Sequence, residues 1–334
     1  LAWDVYASVR ARIVYAGKLG GSIVDDMINA RSLDEAMNYL RETEYYQYIR
    51  EASLDNQEAL ELHLYSGLYR ALRPLIGMAD KEYRSIADHA LMLIESRIIV
   101  SVLSMLTSGE LISLDLGSLE GSAAGDVYKI ARDERSLVRA LDYLYGKGYK
   151  DFVDAYYSLS KHFDARKALA IASDLGTVKR LSKIARDYPS LSKLLCPEID
   201  YIVIQLLIRL SREKTREYID VEDLSYIACG ISKTDIEDLY GYQEEEAILN
   251  ILRKIYGPQA VQKDLETSLI NIRGYVRKTV RSLCERAMYS YPFDPRVVWA
   301  STRIRILDVE DIASILNGKR AGVSPELLKK TASV

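Results

Sequence analysis

Apolar residues recur at steps of three and four along most of this chain, which is the period of a helix with one buried face. The clearest case lies within 263–288, where Leu265, Leu269, Ile272, Val276, Val280 and Leu283 fall into one stripe. Long helical patterns also cover 57–72, 81–106 and 198–212, and an N-terminal one runs through Trp3 to Arg12 and ends at Gly17 to Gly21. Alternating Val/Ile/Thr runs, the mark of strands, are scarce. The pattern predicts an all-α fold of long helices joined by short turns.

Capping residues set several boundaries. Ser32 reads as an N-cap followed by Asp34 and Glu35, acids that favour the positive end of a helix dipole. Asp294 before Pro295, and Ser324 before Pro325 and Glu326, read as helix starts with proline in the first helical position. The stretch 117–125, with Gly117, Gly121 and Gly125, reads as a linker or loop. No apolar run reaches bilayer length. The best, Ile202 to Ile208, is interrupted by Gln205 and followed by Arg209 and Arg212, so any membrane association is expected to be peripheral.

Composition narrows the function classes. With 49% hydrophobic and 28% charged residues over 334 positions, the chain can bury a substantial core. The formal net charge of −3 argues against a general nucleic-acid binder while leaving room for a local basic patch. Cys196, Cys229 and Cys284 lie far apart without CxxC spacing, which suits a reducing cytoplasm and argues against a disulfide framework or a zinc knuckle. No signal peptide is visible, and the scarcity of Asn and Gln hints at a thermophile.

Two segments echo along the chain. Ile219-Asp220-Val221-Glu222-Asp223-Leu224-Ser225-Tyr226-Ile227 is mirrored by Leu307-Asp308-Val309-Glu310-Asp311-Ile312-Ala313-Ser314-Ile315, with a third copy at Ile94 to Val102. Ser32 to Leu40 similarly resembles Ser136 to Leu144. Two kinds of echo at domain-sized spacing predict a triplicated helical unit.

At these residues the chain resembles the C-type subunit of the archaeal A-type ATPase/ATP synthase, equivalent to the d-type subunit of the vacuolar (V-type) ATPase. The likeness is carried by Tyr6 to Arg12, by Leu40-Arg41-Glu42-Thr43-Glu44-Tyr45, by Ile219 to Ile227, and most closely by the run from Ile315 to Glu326. The chain departs from the family pattern at Glu95, Ser96 and Arg97, where an Asp and Asn pairing is usual. The third unit also lacks a clear copy of the Ser-Leu-Ala-Tyr-Leu helix. The resemblance implies three similar helical domains, 1–109, 110–230 and 231–334, in a pseudo-threefold, funnel-like arrangement. It implies a non-catalytic rotor component without cofactor, on the cytoplasmic face of the membrane. Its partners would be the central-shaft subunits and the proteolipid ring.

Catalytic chemistry finds little support in the residues. His63, His89 and His162 form no HExxH or close metal pair and read as surface or ordinary core histidines. Gly17-Lys18-Leu19-Gly20-Gly21-Ser22 lacks the order of a phosphate loop and reads as a turn. Asp25-Asp26 is not followed by DDxxD, which weakens an all-α Mg²⁺-dependent prenyl-diphosphate enzyme. A generic α-solenoid scaffold would need a shorter and more regular period than the echoes show. Arg273, Arg277 and Arg281, at i, i+4 and i+8, form a basic stripe opposite or beside the buried face. The stripe reads either as a solvated face or as a docking surface for an acidic partner, with Lys319-Arg320 and Lys329-Lys330 as similar candidates.

Overall fold

The computed structural model describes residues 2–50, 52, 56–75, 81–111, 119–212, 221–241, 244–291 and 294–334. Among the described residues the regular structure is helical, with no strand. The chain opens with α1 (Ala2–Ala16), α2 (Gly21–Asn29), α3 (Leu33–Tyr39) and α4 (Glu44–Ile49). The long helices α5 (Gln57–Leu72) and α6 (Lys81–Ser108) precede the short α7 (Ala123–Asp133), α8 (Leu137–Tyr145) and α9 (Lys150–Leu159). A second long pair, α10 (Ala165–Asp187) and α11 (Ser192–Arg212), precedes α12 (Val221–Ile227), α13 (Lys233–Gly241) and α14 (Glu245–Tyr256). The chain closes with α15 (Leu265–Met288), α16 (Arg296–Arg320) and the short α17 (Pro325–Thr331).

The six long helices form a closed circuit. Helix α5 packs on α6, α6 on α10, α10 on α11, α11 on α15, α15 on α16, and α16 returns to α5. Short helices bridge neighbouring pairs: α7–α9 pack on α6 and α10, α12–α14 on α11 and α15, and α1–α4 on α16 and α5. The two ends of the chain therefore meet at α16. Touched from so many sides, α16 is buried along most of its length, and the charged residues it carries there, Arg303, Arg305, Asp308 and Asp311, need buried partners.

Local capping agrees with the sequence at its clearest points. The Ser32 hydroxyl accepts the Glu35 N–H at 3.1 Å, and the Ser324 hydroxyl takes the Leu327 N–H with Pro325 opening α17. The Asp294 carboxylate accepts the Arg296 N–H at 2.9 Å, and α16 begins at Arg296, one residue later than the expected Pro295. The α15 stripe is inside, with Leu265, Ile272, Val276 and Val280 buried and Leu269 and Leu283 partly so. Gly274 is required where α17 crosses α15, since a Cβ there would lie 1.8 Å from the Lys330 carbonyl oxygen. In the expected loop 117–125, Ser122 caps α7, so 123–125 are its first turn. Gly117 and Ser118 lie outside the described residues, as do Ile219, Asp220, Pro292 and Phe293.

Two expectations are corrected. Cys196 and Cys229 form a disulfide with a Cα–Cα distance of 5.4 Å, because the chain folds back from α12 onto the start of α11. Sequence spacing could not show this return. The second correction concerns α6, whose 28 residues are long and apolar enough by length and composition to cross a bilayer. Just over half of its most apolar window, 56%, is buried against neighbouring helices, as in the core helix of a helical bundle.

Candidate docking surface and polar core

The basic stripe of α15 does not face solvent along its length. Arg277 and Arg281 are 6% and 5% exposed, whereas Arg273 is exposed. Their positions lie one residue beyond Val276 and Val280, so they share the flank of α15 that packs against α16. Arg281 pairs with Asp308 at 2.8 Å and donates to the Ser333 hydroxyl at 2.9 Å. Arg277 pairs with Asp311 at 2.6 Å and lies 3.5 Å from Glu310. Arg303 grips both oxygens of Glu198 on α11, at 2.8 and 3.0 Å, and reaches Glu310 at 3.3 Å. Two of the three stripe arginines thus form buried ion pairs tying α15 to α16, and Arg303 extends the ladder from α16 to α11. The Lys319 ammonium donates to the carbonyls of Ile28 and Ala30, where it caps the end of α2. Arg320 is exposed, and Lys329 lies 3.7 Å from Asp25 on the surface.

The charges shift one another in opposite directions. Burial pushes the Glu310 carboxyl up, but Arg303 and Arg277 outweigh it and hold the group at about 2. For Asp311 burial wins over Arg277 and Ser333, and its carboxyl is raised. The guanidinium of Arg281 is raised because Asp308 overcomes the cost of its burial.

A second set of carboxylates recurs around the circuit. Asp308 on α16 accepts the Leu19 N–H at 2.9 Å and the Tyr45 hydroxyl at 2.6 Å. Glu95 on α6 accepts the Ala124 N–H at 3.2 Å and the Tyr149 hydroxyl at 2.5 Å. Asp200 on α11 accepts the N–H groups of Cys229 and Gly230. Each acid sits on the second helix of a long pair and holds the chain near the start of a short helix. The sequence echo aligns Glu95 with Asp308, and the structure agrees. The echo takes Asp220 as the third member because Asp-Val-Glu-Asp occurs at both 220–223 and 308–311, whereas the structural counterpart is Asp200.

The serine echo also has a third copy that the sequence pattern missed. Ser32, Ser136 and Ser232 accept the N–H groups of Glu35, Arg139 and Asp235 at 3.1, 3.2 and 3.1 Å. Tyr45 and Tyr149 each stand thirteen residues beyond their serine, and Glu245 holds that place in the third copy. The signal available was the cap serine itself, which survives although the apolar pattern after it is altered.

Within the circuit of long helices is a cavity of about 490 Å³, lined by residues from all six. Its lining is polar, with Arg97, Arg209, Arg273, Arg277 and Arg303 facing Glu61, Asp174, Glu198 and Glu310. Arg209 pairs with Asp174 at 3.1 Å. Outside, α1 packs on α16 and leaves Val5, Val9 and Ile13 uncovered at 43%, 50% and 56% exposure. These positions repeat at i, i+4 and i+8, so they form one apolar stripe in solvent. Arg12, which donates to the Met288 carbonyl, and Lys18, paired with Glu285 at 3.1 Å, hold α1 beside the end of α15.

Fold and polar core define an all-α protein whose buried charges cross-link long helices and whose N-terminal helix carries an exposed aliphatic stripe. Residues 7–331 match the family model described as ATP synthase (C/AC39) subunit, and the chain belongs to that family. It is accordingly a component of the A/V-type ATPase class, as the resemblance to the C-type and d-type subunits implied. A comparison with curated proteins finds no match.

Proposed function

We propose that the chain is the non-catalytic rotor component that couples the central shaft of a rotary A/V-type ATPase or ATP synthase to its membrane proteolipid ring. It would transmit torque for proton or sodium transport from the cytoplasmic face as a peripheral membrane protein. The carrying observation is family membership over 7–331 combined with the closed circuit of long helices. Torque transfer needs a body that resists deformation, and close-packed helices pinned by buried ion pairs have that property. The three recurring carboxylate ties support three similar helical units in a funnel-like arrangement.

The exposed Val5, Val9 and Ile13 stripe supports an apolar contact with a partner. Arg273 and Arg320 supply surface charge for polar docking, whereas Arg277, Arg281 and Lys319 hold the body together. The test is calorimetry of the purified chain mixed with the central-shaft subunits. One-to-one binding, weakened by Ile13→Asp without loss of helicity, is the expected result. No binding at micromolar concentration, with every component folded, overturns the proposal.

A further inference from the structure

A smaller cavity, of about 270 Å³, lies away from the central one, between α6, α9 and α10. Its walls include Met92, Ile99 and Phe152. Gly176 keeps α10 close to α9, since a Cβ there would sit 3.2 Å from the Phe152 Cβ. Two polar atoms on this lining, His89 Nδ1 and Ser173 Oγ, are buried and have no hydrogen-bond partner. Ser173 is only 5% exposed, so water does not readily satisfy it, and an unpaired buried polar group costs free energy.

The lining also has one sign of charge in excess. Lys179, Arg180 and Lys183 are on it, against the single carboxylate of Asp151, which is 3.8 Å from Lys179. Arg180 is fixed in place: it donates to the Met92 and Gly148 carbonyls and to Ser96, and its guanidinium stacks 4.9 Å from the Tyr149 ring. Burial, then Arg180 and Lys183, lower the His89 pKa. An apolar recess with a few converging polar groups and a cationic margin is the usual form of a small-molecule site.

We infer that the α6–α9–α10 cavity is a binding site for a small amphiphilic anion, with an apolar body on Met92, Ile99 and Phe152 and a carboxylate toward Lys183 and Arg180. The inference does not depend on the rotor reading, because this cavity is separate from both the α1 stripe and the central cavity.

The probes are 2-naphthoate and, as a control of similar shape and opposite charge, 2-naphthylmethylammonium, titrated into the full chain by calorimetry. Saturable one-to-one binding of the anion, with no binding of the cation, is the expected result. Lys183→Glu at the margin and Val100→Phe on the wall should each weaken 2-naphthoate by at least about tenfold, with unchanged circular dichroism. Equal binding of cation and anion, no binding of 2-naphthoate up to millimolar concentration, or an affinity that neither folded variant alters would each overturn the assignment. If one variant fails to fold, the other decides it.

Discussion

The hydroxyl of Tyr45 donates to the carboxylate of Asp308 across 2.6 Å, although 263 residues separate them along the chain. Arg305 donates to the same hydroxyl at 2.5 Å, and Arg281 and the Leu19 N–H complete the surroundings of Asp308. One buried acid thus joins α4, α15, α16 and the turn before α2. Tyr45→Phe leaves a buried carboxylate short of a donor and should cost about 1–3 kcal/mol. Asp308→Ala strands Arg281 and should cost about 3–5 kcal/mol. Urea denaturation of the two variants measures both; equal stability to the parent would show that the tie contributes nothing.

Stability at low pH should depend on Glu310. Its carboxyl is held at about 2 in the folded protein against 4.5 ordinarily, so its contribution is present above about 4.5 and is lost as pH falls toward 2. The shift corresponds to roughly 3 kcal/mol. Asp311 acts in the opposite sense, since its raised carboxyl is relieved by protonation and offsets part of that loss. The melting temperature of Glu310→Gln should therefore fall less steeply than that of the parent between pH 4.5 and 2. Parallel profiles would contradict this.

Glu245 stands thirteen residues beyond Ser232, where Tyr45 and Tyr149 follow Ser32 and Ser136, and among the described residues Asp200 is bonded by the backbone N–H groups of Cys229 and Gly230 rather than by a phenol. The Cys196–Cys229 disulfide secures the same junction, one helical turn before Asp200. It joins residues 33 apart, for which the chain-entropy model gives about 4 kcal/mol. Reduction, or Cys196→Ser, should lower the melting temperature by several degrees. No change on reduction would mean that the backbone bonds to Asp200 suffice there.

The arginines of α15 should separate in their effects. Arg277→Ala removes one side of a buried pair with Asp311 and should cost about 3–5 kcal/mol of stability. Arg273→Ala, at an exposed position, should change stability by less than about 0.5 kcal/mol. It should weaken binding to the central-shaft proteins at low salt and less at high salt. Salt-independent binding would remove Arg273 from the interface.

Local signals in the chain were enough for the helical class, the α15 stripe and the caps at Ser32 and Ser324, because each depends on neighbours within a turn or two. They also aligned Glu95 with Asp308. Periodicity could not distinguish a charged face in water from one pressed against another helix, so Arg277 and Arg281 looked like surface residues until α16 supplied Asp311 and Asp308. The same limit hid the disulfide, the exposed stripe of α1, and Asp200 as the third carboxylate. Helix type is a short-range property of the backbone and its side-chain spacing. Which charges are paired and which apolar residues stay uncovered is set by contacts between segments up to some 290 residues apart, and only the folded chain brings those together.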